Sequence, residues 1–248
     1  MTITDDPTTR PATAPVAPPA TDALDRLVAV DLYRDIHKGI RAELFAVTSE
    51  SARLDPADGV GRAAIEQHVD EVIALLVSHA EHEDAHIGPV LGRELPELED
   101  RIEADHHLLE ARLVELRSMA ADLTSVAAAD VTRLRAHRLH LALASFTGAY
   151  LQHQDLEEVV VMPALEAAIG VDAVLGIHQA IVGSIPPEEM ARSLAIMLPA
   201  MNIDDRTEML GGMQAGAPPE VFAGVWGLAG SVLEPADHRA LAARLGLS

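Results

Sequence analysis

Cysteine is absent from the 248 residues, which removes disulfides, thiolate zinc sites, iron–sulfur ligation and cysteine redox catalysis together. Any redox chemistry must therefore come from a bound centre. Lys38 is the only lysine, and the formal net charge is −21. Nucleic acid and anionic membranes are excluded as partners on that balance, because phosphate binding relies on basic side chains that displace counterions. Aromatic residues make up only 2% of the chain, while alanine, leucine and valine dominate a 49% hydrophobic fraction. This composition suits helix packing and predicts an all-α protein. No basic segment followed by an apolar run opens the chain, and no stretch reaches the roughly 18 uninterrupted apolar residues that a membrane span needs. A cytoplasmic location is the expectation.

Two segments repeat one another: His79-x3-Glu83-Asp84-x4-Pro89-x-Leu91 and His153-x3-Glu157-Glu158-x4-Pro163-x-Leu165. On a helix, residues four apart lie on one face, so each segment aims an imidazole and a carboxylate at one point. A further unit repeats upstream of each. His37 precedes Ile40, Leu44 and Val47 at +3, +7 and +10, and His106 precedes Leu109, Leu113 and Leu116 at the same offsets. That register selects His106 over His107. The chain reads as a duplicated helix pair that contributes four imidazoles and two carboxylates.

Helical periodicity and turn chemistry place the elements. Residues 1–21 are rich in Thr, Pro and Ala and are expected to form a disordered tail. A first helix, capped by Asp22 or Asp25, runs to about Ser49, with Leu27, Val30, Tyr33, His37 and Ile40 on its inner stripe. The turn 54–61 leads to a second helix from about Arg62 to Gly88-Pro89. The third runs from Pro96 to about Leu123, and the fourth from a cap at Asp130 past Pro163 to Ile169. Short connections predict an antiparallel up-down four-helix bundle over residues 22–169. Residues 170–248 read as an appended helical module, in which Phe222, Trp226 and the methionines cover the bundle or form a homodimer surface.

The motif resembles the hemerythrin-like family, four-helix bundles that hold two non-haem irons, over roughly residues 25–168. The resemblance implies two iron ions, oxo- or hydroxo-bridged, with His37, His79, His106 and His153 as terminal ligands and Glu83 and Glu157 bridging. Oxygen-carrying members have a fifth histidine one turn after the helix-three ligand; here that place is Glu110. Four protein bonds and a bridging oxygen leave each iron open, which implies peroxidase- or catalase-like turnover of H2O2, O2 or NO, with an unknown electron donor. A module that senses iron, oxygen or nitric oxide is the alternative. Imidazole and carboxylate alone also suit Mn, Zn or Co. A ferritin-like reading fits Glu83-x-x-His86 and Glu103-x-x-His106 but finds no matching pair on helix four.

Further candidates sit beside the ligands. His86 is an extra ligand or hydrogen-bond donor. Tyr33 and Tyr150, one turn before His37 and His153, are partners for a metal-bound oxygen species, and Glu110 is a proton donor or weak ligand. Asp84 and Glu158 face outward or support the site. His68, His82, His107, His137, His140, His178 and His238 are expected to be solvated.

Overall fold

The computed structural model describes residues 28–247, and these are helical with no strand among them. The expected tail at 1–21 and the caps Asp22 and Asp25 lie outside the described residues. The first helix, α1, spans Arg34–Arg53, so residues 28–33 are not part of it. Asp31 causes the late start: its Oδ1 accepts the backbone N–H groups of Tyr33 and Arg34, each at 3.0 Å. A side-chain acceptor just before a helix satisfies amides that have no intrahelical partner. The segment ahead of it is tied down as well, since Ala29 and Val30 donate their amides to Glu166.

Helix α2 (Gly59–His86) begins earlier than its glycines suggest, because Asp58 accepts the Val60 N–H at 3.0 Å. A Cβ on Gly61 would stand 2.7 Å from the Asp58 carboxylate, so glycine there makes room for the cap. Beyond α2 come α3 (Gly88–Glu94), α4 (Pro96–Thr124) and α5 (Ala129–Leu156). Asp130 lies inside the first turn of α5 rather than capping it.

The two repeated prolines are accommodated differently. Ahead of Pro89 the helix stops at His86, and Pro89 occupies the first turn of α3, where no N–H is required. At Pro163 the chain continues through a π-helical turn, Glu157–Val161, into α6 (Met162–Ile169). There the Met162 N–H reaches back five residues to the Glu157 carbonyl. A widened turn of this kind relieves the clash between a proline ring and the preceding turn.

Helix α1 packs on α2 and α5, and α4 packs on α2 and α5. Ile40, Leu44, Leu76, Leu113, Leu139 and Phe146 belong to the core between them. Each such side chain contributes about 1.5–3 kcal/mol through burial. A second apolar cluster closes the end that holds the repeated motifs, with Ile87, Leu91, Ile102, Met162 and Leu165.

The chain then continues as α7 (Val171–Ser184), α8 (Pro187–Ala200), α9 (Ile203–Gly216), α10 (Pro219–Val232) and α11 (Pro235–Leu245). These carry a third core that includes Leu198, Leu210 and Leu241, and Phe222 and Trp226 pack against it rather than standing free. Helix α8 lies so close to α1 that a Cβ on Gly39 would be 3.3 Å from the Met197 amide nitrogen. Beside this contact the lone lysine, Lys38, pairs with Asp205, and Arg34 reaches Glu208 at 3.0 Å. Lys38 thus has a place in the fold.

His68, on α2, is not free in solvent but spans Glu43 and Glu50 of α1, at 3.1 and 2.7 Å. The hydrogen bond to Glu43 outweighs partial burial, and with Glu50 it lifts the imidazole from 6.5 to about 9. The folded state therefore holds a proton that an unfolded histidine releases near 6.5. The stabilisation is complete below that value and fades as pH rises through about 9. His68→Gln should cost about 1–2 kcal/mol at pH 6, after allowance for solvent screening, and almost nothing at pH 10. Urea denaturation of both proteins at the two pH values checks this; a cost independent of pH would show that packing, not charge, sets it.

Candidate metal centre

All six residues of the duplicated motif meet in the interior. His37 comes from α1, His79 and Glu83 from α2, His106 from α4, His153 from α5, and Glu157 from the π turn. His37 and Glu157 are almost fully buried, at 0% and 1% exposure.

They form two clusters that share the carboxylates: His37, His79, Glu83 and Glu157 in one, Glu83, His106, His153 and Glu157 in the other. Within each cluster one ligand atom per residue lies within 4.8 Å of every other. Glu83 turns Oε1 to His79 Nε2 at 3.1 Å and Oε2 to His106 Nε2 at 3.5 Å. Glu157 does the converse, with Oε2 3.4 Å from His37 Nε2 and Oε1 3.2 Å from His153 Nε2. Each carboxylate thus offers one oxygen to each histidine pair.

The donor set fits a cation. Both oxygens of Glu83, both of Glu157, and Nε2 of His106 are buried with no hydrogen-bond partner. Unsatisfied buried groups of this kind cost about 1–3 kcal/mol each, more when charged, so their convergence requires compensation. His37 Nε2 and His79 Nε2 are 3.1 Å apart, which is about the separation of adjacent ligands on one ion with bonds near 2.1 Å.

The outer nitrogens are held by the second carboxylate of each motif, and the support crosses between the repeats. Glu158 faces imidazole and guanidinium: its Oε1 lies 2.9 Å from His37 Nδ1, while Arg41 grips both its oxygens at 2.9 and 2.8 Å. Asp84 holds His106 Nδ1 at 2.9 Å. Carboxylates in this position fix the ring orientation and direct Nε2 inward. Burial would raise the Glu158 carboxyl, but His37 and Arg41 take it down to about 2.

The imidazoles are driven apart. Burial lowers His79 to about 4, with Glu83 only partly opposing, so this ring is neutral and ready to ligate. Burial also works against the His153 cation, yet Asp105, Glu157 and Glu83 push it up to about 10. The proton His153 keeps in the metal-free cluster is one that a cation would displace. Tyr33 and Tyr150 lie against this charge, with ring centroids 5.0 Å from His37 and 5.7 Å from His153. Burial first, and then Glu83 and Glu157, raise both phenols well above their ordinary value.

The family model for the hemerythrin HHE cation-binding domain matches residues 28–165. The chain belongs to this family. Neither the curated proteins nor the solved structures contain a match to it. Membership in the hemerythrin family accounts for the duplicated helix pair and for a His/Glu cluster able to hold a metal cation. No single helix among the described residues is long and apolar enough to cross a membrane.

Other candidates are placed away from the cluster. His86 binds Ser184 of α7 at 3.1 Å and is not among the converging groups. Seven residues along a helix return nearly to the same face but two turns away, which carries His86 past the cluster to the helix end. Glu110 is exposed. The buried track of α4 runs through Ile102, Leu109, Leu113 and Leu116, and Glu110 falls about 100° round the helix from Leu109.

Among the remaining histidines, His82 binds Glu189 at 2.9 Å, His140 lies 3.2 Å from Ser51, and His238 stacks on Trp226 with centroids 4.2 Å apart. These three join elements instead of being solvated, whereas His107, His137 and His178 are exposed, His107 facing Glu103 of its own helix at 3.8 Å. Two site residues escape a reading of the repeat, because neither has a duplicate. Asp105 faces His153 at 3.8 Å. Glu99 lines a small cavity at the end of the cluster. Its place two turns before His106, on the Ile102 track, is the signal that could have found it.

Proposed function

We propose that the protein is a non-haem di-iron member of the family that reacts with H2O2, O2 or NO, with peroxidase- or catalase-like turnover. In this reading α1, α2, α4 and α5 form an antiparallel up-down bundle, and the helices after Ile169 form an appended module. His37 and His79 would hold one iron and His106 and His153 the other, with Glu83 and Glu157 offering an oxygen to each. The observation that carries it is the division of each carboxylate, one oxygen to each histidine pair, with none of the four oxygens otherwise partnered. A bound iron pair supplies Lewis acidity and redox equivalents at this point.

The chain's own residues supply the rest. Asp84 and Glu158 hold the rings of His106 and His37, Ile87 and Leu91 exclude bulk water from the end of the cluster, and Tyr33 and Tyr150 wall it with raised phenols that keep their protons. The acidic chain has no use for nucleic acid as a partner.

One observation favours a second reading, a sensor without turnover. A flanking face of α2, the helix that carries His79 and Glu83, is fastened to the C-terminal helices: Ser78 and His82 both bind Glu189, and His86 binds Ser184. The state of the centre can reach α7 and α8 through that face.

Metal analysis of the purified full chain, followed by peroxide addition, tests the proposal. About two irons per chain and peroxide loss over many turnovers per iron pair are expected. Two irons with a single equivalent consumed would favour the sensor, and absence of iron would overturn both.

A further inference from the structure

A small cavity opens at the end of the metal cluster. Its lining joins the buried Glu83, Glu157 and Tyr33 to the more exposed Asp84 and Glu99. It has room for about one water molecule. Ile87 and Ile102 line it as well, and no basic side chain belongs to its wall. We propose that Glu99, with Asp84, forms an acidic gate at this cavity that admits small neutral molecules and holds anions out. The inference deepens the di-iron reading and rests on it.

Three observations carry the gate. First, Glu99 is placed by the α4 helix rather than by a loop, three residues before the buried Ile102 and seven before His106. Its Oε2 is buried and has no hydrogen-bond partner, so its charge is not already spent on a neighbour. Asp84, in contrast, is 65% exposed and tied to His106 Nδ1.

Second, Gly88 makes space for the carboxylate: a Cβ there would stand 3.0 Å from Glu99 Oε1. Third, burial and then the charges of Asp84 and Glu103 lift the Glu99 carboxyl above its ordinary value, as expected where negative potential accumulates. An anion at this cavity meets that potential in a space too small for its hydration shell, whereas a neutral molecule carries no charge for the potential to repel. In a site of reduced dielectric, a unit charge about 10 Å away is worth roughly tenfold in affinity.

The test uses the iron-loaded full chain and two probes, azide on the oxidised protein and nitric oxide on the reduced protein, with binding followed by visible and electron paramagnetic resonance spectra. Glu99→Gln should strengthen azide binding roughly tenfold and change nitric oxide binding less than about twofold. Glu99→Asp, which keeps the charge, should bind azide as the wild type does.

Unchanged azide affinity in Glu99→Gln would overturn the gate, and so would an equal gain for both probes, or an aspartate variant that behaves like the glutamine one. Iron content, measured first, separates the two levels. A chain without iron overturns the di-iron reading and the gate together, while a loaded chain indifferent to the charge at Glu99 overturns the gate alone.

Discussion

In metal-free protein, Glu83→Gln should unfold at a higher denaturant concentration than the wild type, and with iron restored the order should reverse. The first half comes from the surroundings of Glu83. It is 6% exposed, neither oxygen has a hydrogen-bond partner, and the nearest ring, His79, is neutral because burial lowers it to about 4. Around it, Glu157, Glu99 and Asp84 line the same cavity. A buried charge costs several kcal/mol to take out of water, and the raised imidazoles of His106, 3.5 Å away, and His153 offset only part of that. An amide of the same shape removes the charge but leaves polar atoms to satisfy, so the expected gain is about 1–3 kcal/mol.

The second half comes from linkage. A cation that binds only the folded state adds about 2.7 kcal/mol at a concentration one hundred times its dissociation constant, and more above that. The variant forfeits this because it offers no anionic bridge. Unfolding curves with chelator and with excess iron give all four values. If Glu83→Gln were the less stable protein under both conditions, Glu83 would be a structural carboxylate with a partner, and the cluster would not be built for a cation.

How far the sequence discloses this arrangement depends on whether a residue's role repeats. His37, His79, Glu83, His106, His153 and Glu157 are visible in the chain because the duplication states each role twice, at fixed helical offsets. Asp84 and Glu158 share that register, but the repeat does not say that each reaches across to the histidine of the other unit. Glu99 and Asp105 act once each, so periodicity alone gives them no weight.

The helix starts differ from expectation for a local reason. Asp31 and Asp58 bind backbone amides through their side chains, and several aspartates near each boundary offer the same chemistry. The π turn is a case of its own. Identical prolines at matching positions break one helix and widen the other, and the difference lies in the segments they lead into. Helix α3 is a separate short element that begins at Gly88, while α6 follows the π turn without a break. His82 and His140 read as solvated because their partners, Glu189 and Ser51, are distant in sequence, 107 and 89 residues away. His86 reads as a ligand for the same reason, its partner Ser184 lying 98 residues away.

Because the carboxylates are shared and the histidines are not, variants of the two kinds should differ in how much iron they lose. Glu157→Ala removes one oxygen from each cluster and half of the bridging charge, so bound iron should fall below about a tenth of the wild-type amount. His79→Ala removes one neutral ligand from one cluster only, and should leave about half of the iron, held by His106, His153 and both carboxylates. Iron per chain after passage over a chelating resin measures this, with circular dichroism to confirm that each variant is folded. The visible spectrum adds a second criterion, since an oxo-bridged band requires both metals and should vanish in His79→Ala even while iron remains.

Equal and complete loss in both variants would mean that neither metal binds without the other. Loss of only half the iron in Glu157→Ala would mean that Glu157 serves one cluster and does not bridge. The two oxygens of Glu157 face His37 and His153 at nearly equal distances, 3.4 and 3.2 Å, from a residue that is 1% exposed and has no room to turn toward solvent. That placement makes the shared carboxylate the feature on which both His/Glu clusters depend.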